Sequence, residues 1–363
     1  MKFSPVLLCG VAAAALSACE IRPRETASAS QTSAPPAASM PSPAVPETQP
    51  APSAAAVAQA VDRAAFSEQP ATPEARRDML IRAQVLLDRA HFSPGVIDGQ
   101  DGENMRNAIA AYERAHDLPE DGILDAEVWG KLTADAGPAL VDYVVSREDA
   151  AGPYTPEIPK RYEDMAKLDR LGFSGPLEAL AERFHMDVAL LQALNPGADF
   201  GAAGTRIVVA WPARDALPTK VATVEVDKTR KQVRAYDAAG ELLAAYPATV
   251  GSADLPTPSG EWAVRTIAPA PTWTYDPSRL NFGDKSAGKL TIRAGPNNPV
   301  GAVWIDLTKD TYGIHGAPEP RLVGKTASHG CVRLTNWDAM QLSKAVEKGT
   351  KVKFVGDGPA AVT

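Results

Sequence analysis

Residues 314–333 read IHGAPEPRLVGKTASHGCVR and contain two of the five histidines and one of the three cysteines of a 363-residue chain. His315 lies sixteen residues before Cys331, and His329 lies two residues before it. A free thiol has a pKa of about 8.5, so only a small fraction is nucleophilic thiolate at neutral pH. A neighbouring imidazole can accept the thiol proton and later return a proton to a leaving amine. The stretch therefore predicts a cysteine nucleophile with a histidine base.

The glycine between His329 and Cys331 adds a second expectation. Gly330 has no Cβ, so a substrate can approach the backbone closely, and the amides of Gly330 and Cys331 are the natural donors of an oxyanion hole. Two other interpretations remain open. An open zinc site could use the same cysteine and histidines, although His-Gly-Cys would crowd two ligands. Alternatively, the thiol could be a buried structural cysteine.

The sequence after Pro218 favours a mostly-β domain. Val224 and Val226 alternate with polar residues, and further short apolar runs are separated by turns such as residues 237–240. A short helix at residues 338–347 and a strand at 351–355 follow. The predicted fold is a sandwich-like or barrel-like β domain with one or two helices.

Residues 314–333 resemble the catalytic motif of the L,D-transpeptidase (YkuD-type) family. The family pattern is His-Gly, a glycine nine residues after the histidine, and Ser-His-Gly-Cys with its cysteine sixteen residues after it. The chain matches it with His315, Gly316, Gly324 and residues 328–331. The Thr-Pro-Ser-Gly turn at 257–260 and Asn336 match further landmarks, whereas Ala317 replaces a frequent threonine. The resemblance covers residues 219–357.

The resemblance implies a role for each catalytic residue. Cys331 would be the nucleophile and His315 its general base and acid. The backbone carbonyl of Gly316 would orient His315, His329 would support the site, and Gly330 would contribute to the oxyanion hole.

The resemblance also implies substrate contacts. Arg333 would bind a carboxylate of the stem peptide or act as a structural cation. Ser328 would contact the substrate, and Trp304 and Trp273 would form walls of the cleft or pack in the core.

The implied reaction is acyl transfer on peptidoglycan. Cys331 would attack the amide between the diamino acid and the D-alanine of a tetrapeptide stem, release D-alanine and retain a thioester. An amine of a second stem would give a 3→3 cross-link, and a lysine of an envelope protein would attach that protein. Water would make the enzyme a carboxypeptidase. No metal or cofactor is predicted, and a non-catalytic tether between wall and membrane is the alternative of another class.

Two smaller modules precede this domain. Residues 74–137 have three helical repeats of apolar residues separated by Asp-Gly turns, and they resemble peptidoglycan-binding domain 1 through GVIDG at 95–99 and LPEDGIL at 118–124. Tyr112-Glu113 replaces the usual Phe-Gln pair of that family, and a spacer without a ligand is the alternative.

Residues 163–215 have helix, helix, Asn-Pro-Gly and strand in that order. They resemble a LysM module, a small α+β fold whose family binds N-acetylglucosamine-containing glycans. The opening strand of that family is not evident, so the module is described as LysM-like. Residues 138–162 are polar and contain prolines, and they are predicted to be a linker. His185 is expected at the solvent edge of a helix.

The N-terminus predicts export. A lysine, an apolar run and Leu-Ser-Ala-Cys at 16–19 are typical of a bacterial lipoprotein signal, with Cys19 as the lipidated residue. Glu20 favours sorting to the outer membrane. Between residues 23 and 60, 29 of 38 residues are Ala, Pro, Ser or Thr, so residues 20–73 are predicted to be a disordered linker in the periplasm. The net charge of −7 argues against nucleic-acid binding.

Overall fold

The computed structural model describes residues 53–134, 136–212, 216–279, 286 and 288–357. The predicted signal peptide, Cys19 and most of the predicted linker lie outside the described residues. So does part of the loop 268–290, for which the sequence leaves open whether it acts as a lid.

The first helix, α1 (Ala54–Asp62), corrects the predicted linker 20–73 at its C-terminal end. The Ser53 side chain accepts a hydrogen bond from the amide of Ala56 at the helix start, and Val61 is fully buried. The Asp62 carboxylate accepts a hydrogen bond of 2.7 Å from the amide of Ala139. Alanine is typical of linkers but is also the best helix former, so its abundance did not distinguish the two states.

The three predicted helices of the first module are confirmed. They are α2 (Pro73–Arg89), α3 (Glu103–Ala115) and α4 (Ala126–Thr133). Tyr112 is buried and stacks on His116 with ring centroids 3.9 Å apart. Buried Glu113 accepts a 2.8 Å hydrogen bond from the amide of Gly122, in the turn before α4. The Tyr-Glu pair therefore serves the core and a turn rather than an exposed surface.

The second module begins earlier than predicted. Its elements are β1 (Leu140–Val144), α5 (Arg147–Ala151), α6 (Tyr162–Met165), α7 (Pro176–Arg183), α8 (Val188–Leu194) and β2 (Arg206–Ala210). β1 pairs antiparallel with β2 along its whole length, so residues 138–162 are not a linker. Prolines and charges flank β1, which hid a five-residue strand whose partner lies more than sixty residues away.

Among the described residues, the C-terminal domain contains an eight-stranded sheet, one α-helix and a short 3-10 helix at Pro320–Leu322. The remaining strands are β3 (Thr223–Asp227), β4 (Gln232–Tyr236), β5 (Leu242–Pro247), β6 (Gly260–Pro269), β7 (Trp273–Tyr275), β8 (Leu290–Ile292), β9 (Val303–Leu307), β10 (Gly313–His315), β11 (Val332–Arg333) and β12 (Lys351–Val355). The large sheet has the order β11-β10-β9-β6-β12-β3-β4-β5, and β7 and β8 form a separate hairpin. The α-helix is α9 (Asn336–Ala345), which begins two residues before the predicted start.

Strand β6 makes the large sheet curl. Its first residues pair with β12 and its later residues pair with β9, with a register shift between Val264 and Thr266. Such an irregularity bends a strand and increases its twist. The predicted mostly-β domain is thus confirmed as a curled sheet, whose main core lies between the sheet and α9.

His185 lies where the three modules meet, not at a solvent edge as expected. Its Nδ1 lies 3.0 Å from an Asp88 carboxylate oxygen in the first module. Its ring stacks on Trp337 of α9 with centroids 4.8 Å apart. No local sequence feature indicates this role, because both partners come from other modules.

In the part of the chain that the structure describes, none of the helices is both long and apolar enough to cross a membrane.

Candidate active site

Three neighbouring strands bring the sequence-predicted site residues together. β10 pairs antiparallel with β9 and parallel with β11, so His315 lies opposite both Trp304 and Arg333. Cys331 directly precedes β11, so the same parallel register places it beside Gly313, which lies two residues before His315. Side chains two residues apart on a strand share a face of the sheet. The thiol and the imidazole are consequently diagonal neighbours, and both line one cleft.

His315 is held in one orientation and one tautomer. Its Nδ1 lies 2.7 Å from the carbonyl oxygen of Gly316, and since a carbonyl only accepts, Nδ1 carries the hydrogen. The neutral ring then has Nε2 as its free acceptor. The ring is 3% exposed and stacks on Trp304 with centroids 5.2 Å apart. Burial, and then the positive charge of Arg333, lower the pKa of His315 to about 3, although the bond to Gly316 opposes the shift.

Cys331 is half-buried, and its thiol lies 3.7 Å from the carbonyl oxygen of Thr311. Burial raises the pKa of the Cys331 thiol, whereas the Gly313 backbone and the charge of Arg333 act in the opposite direction. Burial penalises the charged form of both groups, which favours a neutral thiol beside a neutral imidazole over an ion pair.

The loop before Cys331 is fixed by two hydroxyl side chains. The hydroxyl of Ser328 donates to the carbonyl of Cys331 at 2.6 Å and accepts from the amide of Gly330 at 3.0 Å. Thr257, in the Thr-Pro-Ser-Gly turn, donates to the carbonyl of Gly330 at 2.7 Å. Gly330 itself has φ +119°, and a Cβ there would lie 3.3 Å from the Tyr312 ring. Both features require glycine at this position.

These contacts correct two expectations. The amide of Gly330 is occupied by Ser328, so it is not a free donor for an oxyanion. Ser328 is 3% exposed and holds the loop rather than facing the cleft as a substrate contact. Of the two amides considered from the sequence, that of Cys331 remains the candidate donor.

The cleft has a volume of about 150 Å³ and largely aromatic walls. Trp304 and Trp273 both line it, as expected, and His329 lies at its exposed edge. Desolvation and the charge of Arg333 lower the pKa of His329. Tyr162 and Tyr312 also line the cleft and were missed. No motif contains Tyr162, which comes from the second module.

Arg333 also lines the cleft. Among the described residues, no carboxylate lies within ion-pairing distance of its guanidinium. The Arg333 backbone exchanges two hydrogen bonds with Thr249, of 2.8 and 2.9 Å, so the residue is held firmly. A half-buried cation that has no carboxylate partner among the described residues can bind an anionic group.

Asn336 supports the strand that carries His315. Its Oδ1 accepts a 2.9 Å hydrogen bond from the amide of Ala302 and packs against Gly316, where a Cβ would lie 2.2 Å from that oxygen. Its Nδ2 donates to both carboxylate oxygens of Glu182 at 3.0 and 3.2 Å. Glu182 belongs to α7 of the second module and is buried, which raises its pKa to about 8. Two modules thus meet directly behind the predicted base.

No group of three or more His, Cys, Asp or Glu side chains among the described residues is arranged to hold a metal ion. The Nδ1 of His315 is occupied by a backbone carbonyl. The chemistry available here is therefore that of a thiol, an imidazole and a cation.

Two family models match the chain. Residues 222–354 match the YkuD model, described as "L,D-transpeptidase catalytic domain", and residues 76–132 match the model described as "Putative peptidoglycan binding domain". The crystal structure of L,D-transpeptidase 3 from Mycobacterium tuberculosis with a faropenem-derived adduct is 17% identical, with a TM-score of 0.31, over 42% of this chain and 74% of that chain. At that score the structural comparison adds nothing to the assignment.

Curated relatives are more similar. "Probable L,D-transpeptidase YbiS" of Escherichia coli K12 is 28% identical over 198 residues, which are 53% of this chain and 64% of the relative. "Putative L,D-transpeptidase YkuD" of Bacillus licheniformis is 32% identical over 182 residues, which are 49% of this chain and 92% of the relative. With the cysteine and histidine of the family motif on one face of the sheet, the chain belongs to the YkuD family of L,D-transpeptidases, cysteine-dependent acyltransferases that act on peptidoglycan.

Proposed function

We propose that the enzyme takes the acyl group of a tetrapeptide stem onto Cys331 and passes it to an amine. The sulfur attacks the carbonyl carbon of the bond between the diamino acid and D-alanine. The thiol proton moves to Nε2 of His315 and then to the nitrogen of the departing D-alanine, which leaves a thioester. The observation that supports this most is the diagonal placement of Cys331 and His315, with Nδ1 fixed by Gly316.

The second half of the reaction reverses the proton path. The acceptor amine attacks the thioester carbon, gives a proton to Nε2 of His315, and the proton returns to the departing sulfur. We propose that the amide of Cys331 stabilises the oxyanion in both steps, since the Gly330 amide already bonds to Ser328. One such donor contributes about 2.7–4 kcal/mol to transition-state stabilisation.

Arg333 is proposed to bind a carboxylate of the stem. The guanidinium, which pairs with no carboxylate of the described residues, lies in the same cleft as Cys331, and its charge also disfavours an imidazolium at His315. His329 at the cleft edge supports substrate binding rather than proton transfer in this proposal.

The acceptor is proposed to be an amine of a second stem or a lysine of an envelope protein. Incubation with disaccharide-tetrapeptides followed by mass spectrometry of the products tests this. Dimers that have lost D-alanine support transfer, whereas tripeptides alone support the carboxypeptidase alternative. Cys331→Ala should abolish both products, and retained turnover in this variant would refute the mechanism and favour a thiol-independent enzyme.

The second module is proposed to be LysM-like and to bind glycan. The order β1, α7, α8, β2 supports this, because β1 provides the opening strand that the sequence did not reveal. Asn195 of the Asn-Pro-Gly turn donates to the carbonyls of Leu191 and Val208 and accepts from the Val208 amide, which ties α8 to β2. Together with the first module it would hold the enzyme on the wall and raise the local concentration of stems.

We further propose a lipid anchor at Cys19 that retains the enzyme in the periplasm at the outer membrane. The supporting observation is the lipobox-like sequence at residues 16–19. Metabolic labelling with a fatty acid should modify the full-length chain but not the variant Cys19→Ser, and equal labelling of both would contradict the anchor.

A further inference from the structure

One wall of the active-site cleft comes from the second module. Between β1 and α7 the chain makes an excursion through residues 145–175, and α6 within it begins at Tyr162. The Tyr162 ring packs against Trp273 and Tyr275 of the C-terminal domain, with centroids 5.0 and 4.9 Å apart. The ring is half-buried and lines the cleft that contains Cys331.

This excursion is anchored to the C-terminal domain. The amide of Leu171 donates to the carbonyl of Ala294 at 3.1 Å, and the amide of Asn297 donates to the carbonyl of Leu171 at 3.0 Å. Leu171 is fully buried, and a Cβ at Gly295 would lie 1.9 Å from its carbonyl oxygen. The wall is therefore a fixed part of the site.

Tyr162 also borders a second and larger space. A groove of about 620 Å³ runs between the excursion and the C-terminal domain, and it shares Tyr162, Pro299 and Arg333 with the catalytic cleft. The cleft, at about 150 Å³, is smaller than the roughly 300–1,000 Å³ typical of ligand sites, so a four-residue stem must extend beyond it. A volume of about 620 Å³ lies within the range typical of ligand sites.

The lining of the groove suits a peptide. It contains apolar Ile158 and Met165 together with the exposed hydroxyls of Ser174 and Thr326. Each hydroxyl donates within the protein and can still accept a hydrogen bond from a peptide amide. Arg333 lines both the groove and the cleft. It lies close enough to Tyr162 that the charge of the guanidinium lowers the pKa of the Tyr162 phenol, against the larger effect of burial. A stem peptide carries amides along its length and free carboxylates, which matches this combination.

We propose that Tyr162 is a specificity-determining residue, and that the stem runs from Cys331 past the Tyr162 ring into the groove between the two modules. The inference rests on the proposed function, because it takes the stem as substrate. It goes further in giving the second module a direct part in substrate binding, apart from any contact with glycan. An isolated catalytic domain would lack this wall.

The test compares a whole stem with a small acylating agent. For Tyr162→Ala we expect KM for a disaccharide-tetrapeptide to rise about tenfold or more, with kcat changed far less. Acylation of Cys331 by a carbapenem, followed by intact-protein mass spectrometry, should fall much less than stem turnover, because the shorter molecule has to reach the thiol but does not have to occupy the length of the groove. Tyr162→Phe should restore KM, and Lys167→Ala, an exposed change in the same excursion, should match the wild type.

The outcomes separate this inference from the proposed function. Wild-type protein that neither turns over stems nor reacts with the carbapenem would refute the proposed function. Wild-type turnover with an unchanged KM in Tyr162→Ala would overturn the role of Tyr162 alone. Equal losses in both assays would mean that the ring only maintains the fold of the site, and would also overturn it.

A second measurement avoids altering Tyr162. In the variant Cys331→Ala, saturating tetrapeptide should protect Tyr162 from nitration by tetranitromethane, as measured by peptide mass spectrometry. Tyr236, on a strand remote from the cleft in the sheet order, is the internal control and should be nitrated equally with and without peptide. Nitration of Tyr162 that is indifferent to the peptide would contradict the proposed path.

Discussion

Burial raises the pKa of the Cys331 thiol and lowers that of the His315 imidazole to about 3, and both shifts favour the neutral form of the group. The catalytic pair thus differs from a preformed thiolate–imidazolium pair. We expect the rate of Cys331 alkylation by iodoacetamide to keep rising with pH through the ordinary thiol range near 8.5, because the thiolate fraction grows until the pH exceeds the raised pKa. A rate that is already at its plateau at pH 6 would demonstrate an ion pair. The variant Cys331→Ala provides the blank.

Loss of the base should slow acylation without removing the nucleophile. For His315→Ala we expect a decrease of about 10²–10⁴-fold in the rate of carbapenem acylation, since positioned general bases contribute that much. The rate can be followed by intact-protein mass spectrometry. His329→Ala is the matched control, because His329 lies at the exposed edge of the same cleft. This replacement should slow carbapenem acylation far less than His315→Ala does. If His329→Ala slowed acylation more than His315→Ala, the general base would be His329.

At this scale the sequence predicted the parts of the site that are close in the chain. The spacing of His315, Gly316 and Cys331 indicated the nucleophile and its oriented base, and the strand register brings them together. The prediction that the Gly330 amide is a free oxyanion donor was wrong. That amide bonds to the Ser328 hydroxyl two residues earlier, and only the folded loop determines the direction of this hydroxyl. The sequence also did not indicate Tyr162, whose position depends on packing against β7 rather than on any motif.

At the scale of elements, α7 and α9 meet through a buried carboxyl group. Glu182 of α7 has its pKa raised to about 8 by burial, with the charge of Glu178 adding to the shift and the bond to Asn336 of α9 opposing it. Between about pH 4.5 and 8 the folded protein holds a proton that the unfolded chain has released. The free energy of unfolding therefore falls as pH rises through this window, by the linkage between proton binding and stability.

Replacing that carboxyl with an amide should remove this loss. For Glu182→Gln we expect a stability close to wild type at pH 5 and about 1–3 kcal/mol higher at pH 8, measured by urea unfolding. Glu319→Gln, an exposed change in the loop after β10, is the control and should follow the wild-type pH dependence. An equal slope for wild type and Glu182→Gln would mean that Glu182 is ionised in the folded protein.

The elements themselves were predictable to different degrees. Helices α2, α3 and α4 have long apolar periodicities with turns at Asp-Gly, and these signals are local. β1 has only five residues and gains its stability from β2, which the sequence could not indicate. α1 is stabilised by burial of Val61 and by the bond between Asp62 and Ala139, and both contacts are long-range.

At the scale of the whole molecule, each pair of modules is joined by two backbone hydrogen bonds. The first module and β5 exchange bonds of Ser93 and His91 with Ala245. Between the first and second modules, the amide of Ile97 donates to the carbonyl of residue 185, and the amide of residue 187 donates to the carbonyl of Ile97. The second module is joined to the C-terminal domain by the two hydrogen bonds of Leu171. Residues 50–363 accordingly form one unit. Backbone bonds of this kind leave no trace in composition, so the sequence predicted separate modules.

This arrangement predicts one cooperative unfolding transition for the three modules. Because the cores share residues across module boundaries, such as Ala245 in the core of the first module, no module can unfold without exposing apolar surface of another. Differential scanning calorimetry should give a single peak with a calorimetric enthalpy equal to the van't Hoff enthalpy. His185→Ala, which removes the stack on Trp337 and the contact with Asp88, should lower Tm while the peak remains single. Separate peaks in the wild-type protein would show that the modules fold independently, and a peak that divides only in His185→Ala would show that this histidine is what couples them.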